Sequence, residues 1–306
     1  MRKHDSPAAA TLFAAATIIW GSTWLAIKYQ LGNVSPELSV AYRFLLAALI
    51  LGAWCRFTGR SLRYTPRQHQ FIALQGALMF SLNYIGIYWA EQHATSGLVA
   101  VLFSTIVFMN PVAARMLFGT PLGLRTLVAA PLGVAGVALL FLPEILEARK
   151  SVDAGLGIVF GLGATALASA GNMAALRNQR ASIAILPGTA WGMLYGAIVA
   201  VLIALVRGEP WSFDASFPYL ASLVYLSVFG SVIAFGSYLT LLKKVGVGSA
   251  AYVNIGIPVV ALVFSTLFEG YRWSWVAALG VVLAVLANWI ALRSPGARGA
   301  RSARAA

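Results

Sequence analysis

From Ala8 to Leu292 the chain alternates between apolar stretches of membrane-spanning length and short polar gaps, and nearly every charged residue falls in a gap. A helix rises about 1.5 Å per residue and the hydrocarbon core of a bilayer is about 30 Å thick, so one crossing takes roughly 17 to 25 mostly apolar residues. The pattern predicts ten transmembrane helices, over 9–28, 38–57, 70–90, 96–117, 124–142, 153–176, 187–206, 219–242, 249–268 and 273–292. The fold class that follows is an all-α membrane protein. Most gaps are under about 15 residues, too short for an independent globular unit, so function must reside within the helix bundle.

Composition points the same way. Hydrophobic residues make up 60% of the 306, charged residues only 10%, and the mean hydropathy is +0.81; a soluble domain carries about a quarter charged residues. The formal charge of +13 is spread over short loops and a basic tail, 293–306. Without a nucleic-acid-binding module this charge implies no nucleic-acid partner; the tail suits the anionic inner leaflet, making membrane lipid the partner. The basic N-terminus is followed by an apolar run without a convincing cleavage site, so it is read as a retained first helix. Cys55, the single cysteine, cannot form an intramolecular disulfide.

The positive charges also set an orientation, because Lys and Arg are retained on the cytoplasmic side. With the N-terminus inside, the cytoplasmic set comprises Arg2, Lys3, Arg56, Arg60, Arg63, Arg67, Arg115, Arg125, Arg177, Arg180, Lys243, Lys244 and the arginines from Arg293 onward. The other side holds Lys28, Arg149, Lys150, Arg207 and Arg272. Both termini are therefore expected in the cytoplasm. Every acid but Asp5 then falls outside, at or beyond a helix end. Arg43, within the second stretch, is expected to snorkel outward, where Glu37 offers an anionic partner.

The two halves of the chain are weakly alike. At an offset of 150, Gly21, Gly86, Tyr88 and Ala100 match Gly171, Gly236, Tyr238 and Ala250; at 147, Pro111, Arg125 and Gly133 match Pro258, Arg272 and Gly280. Five crossings is an odd number, so the second half must enter from the opposite side, giving an inverted-topology pair with a solute site near the midplane. The expected modules are 8–143 and 153–292.

The segments IIWGSTWLAIKY, PELSVAYRFLLAAL and GVGSAAYVNIGIPVVALVFSTLFEG resemble the two EamA-type repeats of the drug/metabolite transporter superfamily. The residues that carry the likeness are Trp20, Gly21, Pro36, Arg43 and Phe44 in one half and Gly246, Ala250, Pro258 and Glu269 in the other. The resemblance implies a ten-helix secondary transporter. It also places the usual fourth-helix proline near Phe108, whereas here the proline is Pro111, about one turn later. The Trp-rich character and the stretch SLNYIGIYWAEQ are most similar to exporters of aromatic amino acids within that superfamily.

Candidate chemistry lies in polar and aromatic side chains inside the helices, where each must find a partner or face water. Thr165, Ser169 and Asn172 share a face of the sixth helix, and Gln75, Met79, Asn83 and Gly86 a face of the third. The expected substrate-binding residues are Trp20, Met79, Asn83, Tyr84, Tyr88, Ser104, Phe108, Asn172, Trp191, Tyr238, Tyr252 and Asn254, with Gly256 and Pro258 as a hinge. Asn83, Asn172 and Asn254 would bond a zwitterion in a carboxylate-free chamber. Glu91 and His93 are read as a solvated outer turn. Trp54, Trp89, Trp211, Trp273 and Trp275 are read as interfacial anchors.

His4, His69 and His93 lie outside the core and neither HExxH nor GxSxG occurs, so an intramembrane enzyme is disfavoured and neither metal nor cofactor is implied. The leading expectation is export of small amphipathic metabolites, amino acids including aromatic ones, across the bacterial inner membrane by alternating access. The alternatives are export of drugs or other metabolites, such as nucleosides or lipophilic cations, and a channel-like facilitator.

Overall fold

The structure, a computed structural model, describes residues 7–30, 32–94, 96–148, 154–268 and 273–292. The N-terminal charges, Arg149, Lys150, Asp153, Glu269, Arg272 and the basic tail lie outside the described residues. All secondary structure among the described residues is helical. The helices are α1 (Pro7–Lys28), α2 (Pro36–Phe57), α3 (Pro66–His93), α4 (Ser96–Ser104 continuing as Ile106–Phe118), α5 (Leu124–Leu140, followed by the short helix Leu142–Ala148), α6 (Ala154–Arg180), α7 (Ile185–Val206), α8 (Phe217–Val245), α9 (Val253–Phe268, preceded by the single turn Val247–Ala250) and α10 (Trp275–Leu292).

Seven of these helical runs are long and apolar enough to cross a membrane, while α1, α5 and α10 carry the shorter apolar stretches Ala8–Thr23, Leu124–Leu140 and Trp275–Ala291. Local chemistry sets the starts. Pro36 and Pro66 occupy first-turn positions, where a missing N–H costs nothing, behind the caps Ser35 and Thr65, and Thr65 forms a reciprocal capping box with Gln68. The chain leaves α4 and α8 through Gly119 and Gly246, at φ +65° and +86°, a region that favours glycine.

Packing repeats across the two halves. Helix α2 packs on α7 and α5 on α10, each against its own counterpart. The α1–α8 contact has its counterpart in α6–α3, α1–α9 in α6–α4, and α2–α8 in α7–α3. Irregularities repeat as well: α3 widens into a π turn at Leu78–Leu82 and α8 at Leu226–Ile233. In α4 the helix breaks at Thr105, six residues before Pro111, and the α9 segment breaks at Ala251–Tyr252, as far before Pro258. Polar side chains fill the carbonyls exposed at these breaks: Ser104 and Thr105 donate to Val101 O and Leu102 O at 2.7 and 2.6 Å, and Asn254 Nδ2 to Ala251 O at 3.0 Å.

Contacts among helix ends and connections define two ends. At one, Arg207 pairs with Glu37 at 3.2 Å, Trp89 Nε1 donates to Glu37 Oε1 at 3.1 Å, and Asn33 Nδ2 reaches Asp214 at 3.3 Å. At the other, Trp191 Nε1 donates to Leu62 O at 2.9 Å and Arg180 stacks over Phe118 at 4.5 Å. Helix α2 runs from the first end to the second, 22 residues or about 33 Å. The α2–α3 connection thus sits at the end opposite its repeat counterpart, the α7–α8 connection.

The expected anchors Trp54, Trp211, Trp273 and Trp275 are exposed. Trp89 is not an anchor of that kind: it is half-buried against Phe160 and bonded to Glu37, with Arg207 over its ring at 4.9 Å.

Candidate substrate cavity

A cavity of about 130 Å³ lies between the two halves. Helix α1 supplies Trp20, Thr23 and Ile27; α2 supplies Arg43; α3 supplies Met79, Asn83, Tyr84, Ile87, Tyr88 and Glu91. The remaining wall comes from α4 (Ala100, Phe103, Ile106), α6 (Ala168, Asn172), α8 (Phe235, Tyr238) and α9 (Asn254, Ile257, Pro258). It extends from the layer of Trp20, Asn172 and Tyr238 toward Glu91 and Ile27, the end that carries the Glu37–Arg207 pair. At the Leu62 end the halves are tied across: Asn178 Nδ2 donates to Gln75 Oε1 and Phe71 O at 2.9 and 3.1 Å.

One wall is built around the π turn of α8. Gly230 O accepts from Trp20 Nε1 at 3.0 Å and from Arg43 Nη2 at 3.4 Å, while Arg43 Nε donates to Ser231 Oγ at 2.9 Å and Ser227 Oγ donates to Arg43 O at 3.0 Å. A Cβ on Gly230 would stand 3.0 Å from Thr23 Cγ2 and 3.1 Å from Arg43 Nη2, so glycine is what lets α1 and α2 approach. The Trp20 ring then meets Phe235 edge-on at 4.9 Å and Tyr238 at 5.3 Å.

Arg43 therefore does not snorkel. It is 2% exposed, with its guanidinium 4.8 Å from the Tyr84 ring, and Glu37, expected as its partner, pairs with Arg207 instead. Nor is the chamber free of carboxylates. Glu91 lines it, and its Oε1 is buried without a hydrogen-bond partner among the described residues. His93 turns away, its Nδ1 2.9 Å from Trp89 O.

Of the residues expected to bind substrate, Trp20, Met79, Asn83, Tyr84, Tyr88, Asn172, Tyr238 and Asn254 meet around this cavity, as does Pro258. Ser104, Phe108, Trp191 and Tyr252 do not. The break at Thr105 shifts the helical phase, so Phe103 and Ile106 face the cavity, Ser104 is spent on Val101 O, and Phe108 points out at 37% exposure. Trp191 lies at the Leu62 end, stacked on Tyr195 and edge-on to His69 at 4.9 Å. Tyr252, in the break before α9, packs among α5 and α10 residues with its hydroxyl 3.3 Å from Thr126 O. Gly256 is a packing glycine, where a Cβ would stand 2.7 Å from Thr17 Cγ2. Glu91 was legible in hindsight, because the Met79–Asn83 spacing continued by fours reaches Ile87 and Glu91 on one face.

The EamA-like transporter family model matches residues 7–142 and again 155–293. The chain belongs to the EamA-like transporter family. Among its relatives, the Escherichia coli K12 protein named "Uncharacterized inner membrane transporter YedA" is 28% identical over 290 residues, covering 89% of this chain and 87% of that one. Protein PagO of Salmonella typhimurium is 22% identical over 92% of this chain and 91% of its own. The chloroplastic WAT1-related protein At3g02690 of Arabidopsis thaliana is 25% identical over 92% of this chain and 68% of its own. A solved crystal structure superposes with a TM-score of 0.76 at 20% identity, covering 92% of this chain and 96% of that one, and so shares the fold. These relatives do not single out the exporters of aromatic amino acids.

Proposed function

We propose that this EamA-like protein is a secondary transporter of the bacterial inner membrane that exports small amphipathic metabolites, amino acids including aromatic ones, by alternating access. Ten crossings in two inverted modules, 8–143 and 153–292, with both termini cytoplasmic, would place the Leu62 end inside. The observation that carries the reading is the cavity between the halves, walled by Trp20, Tyr84, Tyr88, Phe235 and Tyr238 and relieved by a few polar groups. A mostly apolar pocket with sparse polar groups binds a solute's body by burial and orients it by its tips.

In that orientation the cavity belongs to an outward-facing state, and the Asn178–Gln75 tie must part for it to open inward. Pro258, which lacks the N–H that would bond Asn254 O, and nearby Gly256 are the proposed hinge. Counterflow in proteoliposomes tests the reading, because a carrier accumulates labelled solute against preloaded unlabelled solute and a channel does not. Accumulation of aromatic amino acids is the expected result; its absence for all twenty amino acids refutes the reading. Glu91 supports a second reading, export of lipophilic cations, and a quaternary-ammonium dye belongs in the same panel. Arg43 in the same wall opposes that reading by repulsion.

A further inference from the structure

We infer that the cavity takes its solute as a zwitterion, with Arg43 holding the carboxylate and Glu91 the ammonium; this rests on the amino-acid reading above. Both groups are ionisable and stand where charge is costly, and neither has a counter-ion among the described residues. Arg43 is buried, it donates to the neutral Ser231 Oγ and Gly230 O, and no described carboxylate pairs with it. Glu91 Oε1 is closed off from water and has no hydrogen-bond partner among the described residues. A direct ion pair would have satisfied both, and it is not formed.

The spacing explains why. Arg43 lies at the level of Tyr84, over whose ring its guanidinium sits, and Glu91 is seven residues farther along α3, about 10 Å of helix rise. Side chains on a helix lean toward its N-terminus, which brings the Glu91 carboxyl back toward the level of Tyr88. Two charge-assisted bonds of about 2.8 Å, one on each side of an amino-acid headgroup, bridge about 8 Å. One zwitterion therefore closes a gap too wide for the two side chains alone, and Trp20, Phe103, Phe235 and Ile257 are left to receive its apolar side chain.

Specificity follows from the same pair. A solute with only an ammonium leaves Arg43 unpaired and is repelled by it, and one with only a carboxylate does the same at Glu91. Phenylalanine should therefore outcompete both phenethylamine and 3-phenylpropionate.

The test uses the full chain in proteoliposomes, reading counterflow of labelled phenylalanine with these two analogues as competitors. The expected wild-type result is at least tenfold stronger competition by phenylalanine than by either analogue. Glu91→Gln should lower phenylalanine counterflow at least tenfold and make 3-phenylpropionate the better competitor. Arg43→Gln should lower counterflow and favour phenethylamine, but Arg43 also braces α8, so the Glu91 variant, whose side chain braces nothing described, carries the decision. Wild-type counterflow in Glu91→Gln, or equal competition by all three compounds in the wild type, overturns the clamp and leaves the carrier reading standing. Absence of any amino-acid counterflow in the wild type overturns both.

Discussion

The pairing of α5 with α10 makes a stability prediction that the cavity does not share. Gly136 and Gly280 face each other: a Cβ on Gly280 would stand 2.7 Å from Gly136 O, and one on Gly136 would stand 2.7 Å from Ala284 N and 2.9 Å from Gly280 O. These are backbone atoms, so no side chain can rotate away. Ordinary contact begins at 3.4 Å, so the helices must part by the difference from 2.7 Å, about 0.7 Å. Overpacking of this kind costs about 1–3 kcal/mol. Replacing glycine by alanine also gains up to about 1 kcal/mol of helix propensity, so the comparison should be Gly280→Ala against Gly163→Ala. Gly163 is mid-helix in α6 with nothing within 4 Å of its Cβ position. The propensity gain cancels between them, leaving a difference of about 1–3 kcal/mol, roughly 5- to 150-fold in the unfolding equilibrium. Reversible unfolding in mixed micelles measures it. Neither glycine lines the cavity, so the apparent affinity for solute in the surviving folded protein should be unchanged. Equal stability of the two alanine variants would refute the close α5–α10 contact.

Other outcomes separate cavity from scaffold. Trp20→Phe and Trp191→Phe each remove one indole N–H bond of about 0.6–1.7 kcal/mol; both should be less stable, but only Trp20→Phe should lower counterflow, and an equal loss from Trp191→Phe would misplace the site. Asn172→Ala should lower transport while leaving folded protein in the membrane, as read by chromatography and counterflow together. Cys55 is buried, so a Cys55→Ser background suits labelling: Ser212→Cys should react with an impermeant maleimide in intact cells and Ser302→Cys only after permeabilisation, and the reverse would invert the orientation.

The helix bundle was legible because a membrane demands a run of apolar residues for every crossing, and such runs survive averaging. Met79 and Asn83 both line the cavity although the π turn at Leu78–Leu82 spans the interval between them. Sequence spacing did not reveal the breaks in α4 and before α9. The break at Thr105 carried Ser104 and Phe108 off the expected face, and the break at Ala251–Tyr252 did the same to Tyr252. Trp191 stands away from the cavity for another reason: α7 begins at Ile185, and its first two turns meet the α2–α3 connection.

Arg43 lies furthest from its expected setting, and the reason bears on how the site works. An arginine five residues into an apolar stretch has two escapes, outward to water or inward to an acceptor, and the second requires a backbone carbonyl that ordinary helix hydrogen bonding does not offer. The π turn at Leu226–Ile233 supplies one in Gly230 O, and a second acceptor in Ser231 Oγ, whose own proton goes back to Leu226 O at 2.9 Å. A widened turn on one helix thus makes a buried charge tolerable on another, and the same carbonyl fixes Trp20. Because π turns recur at matching places in α3 and α8, the irregularity belongs to the repeat, while the arginine that uses it belongs to one half only. Likeness of backbone with asymmetry of charge is what gives two similar halves a cavity with a direction.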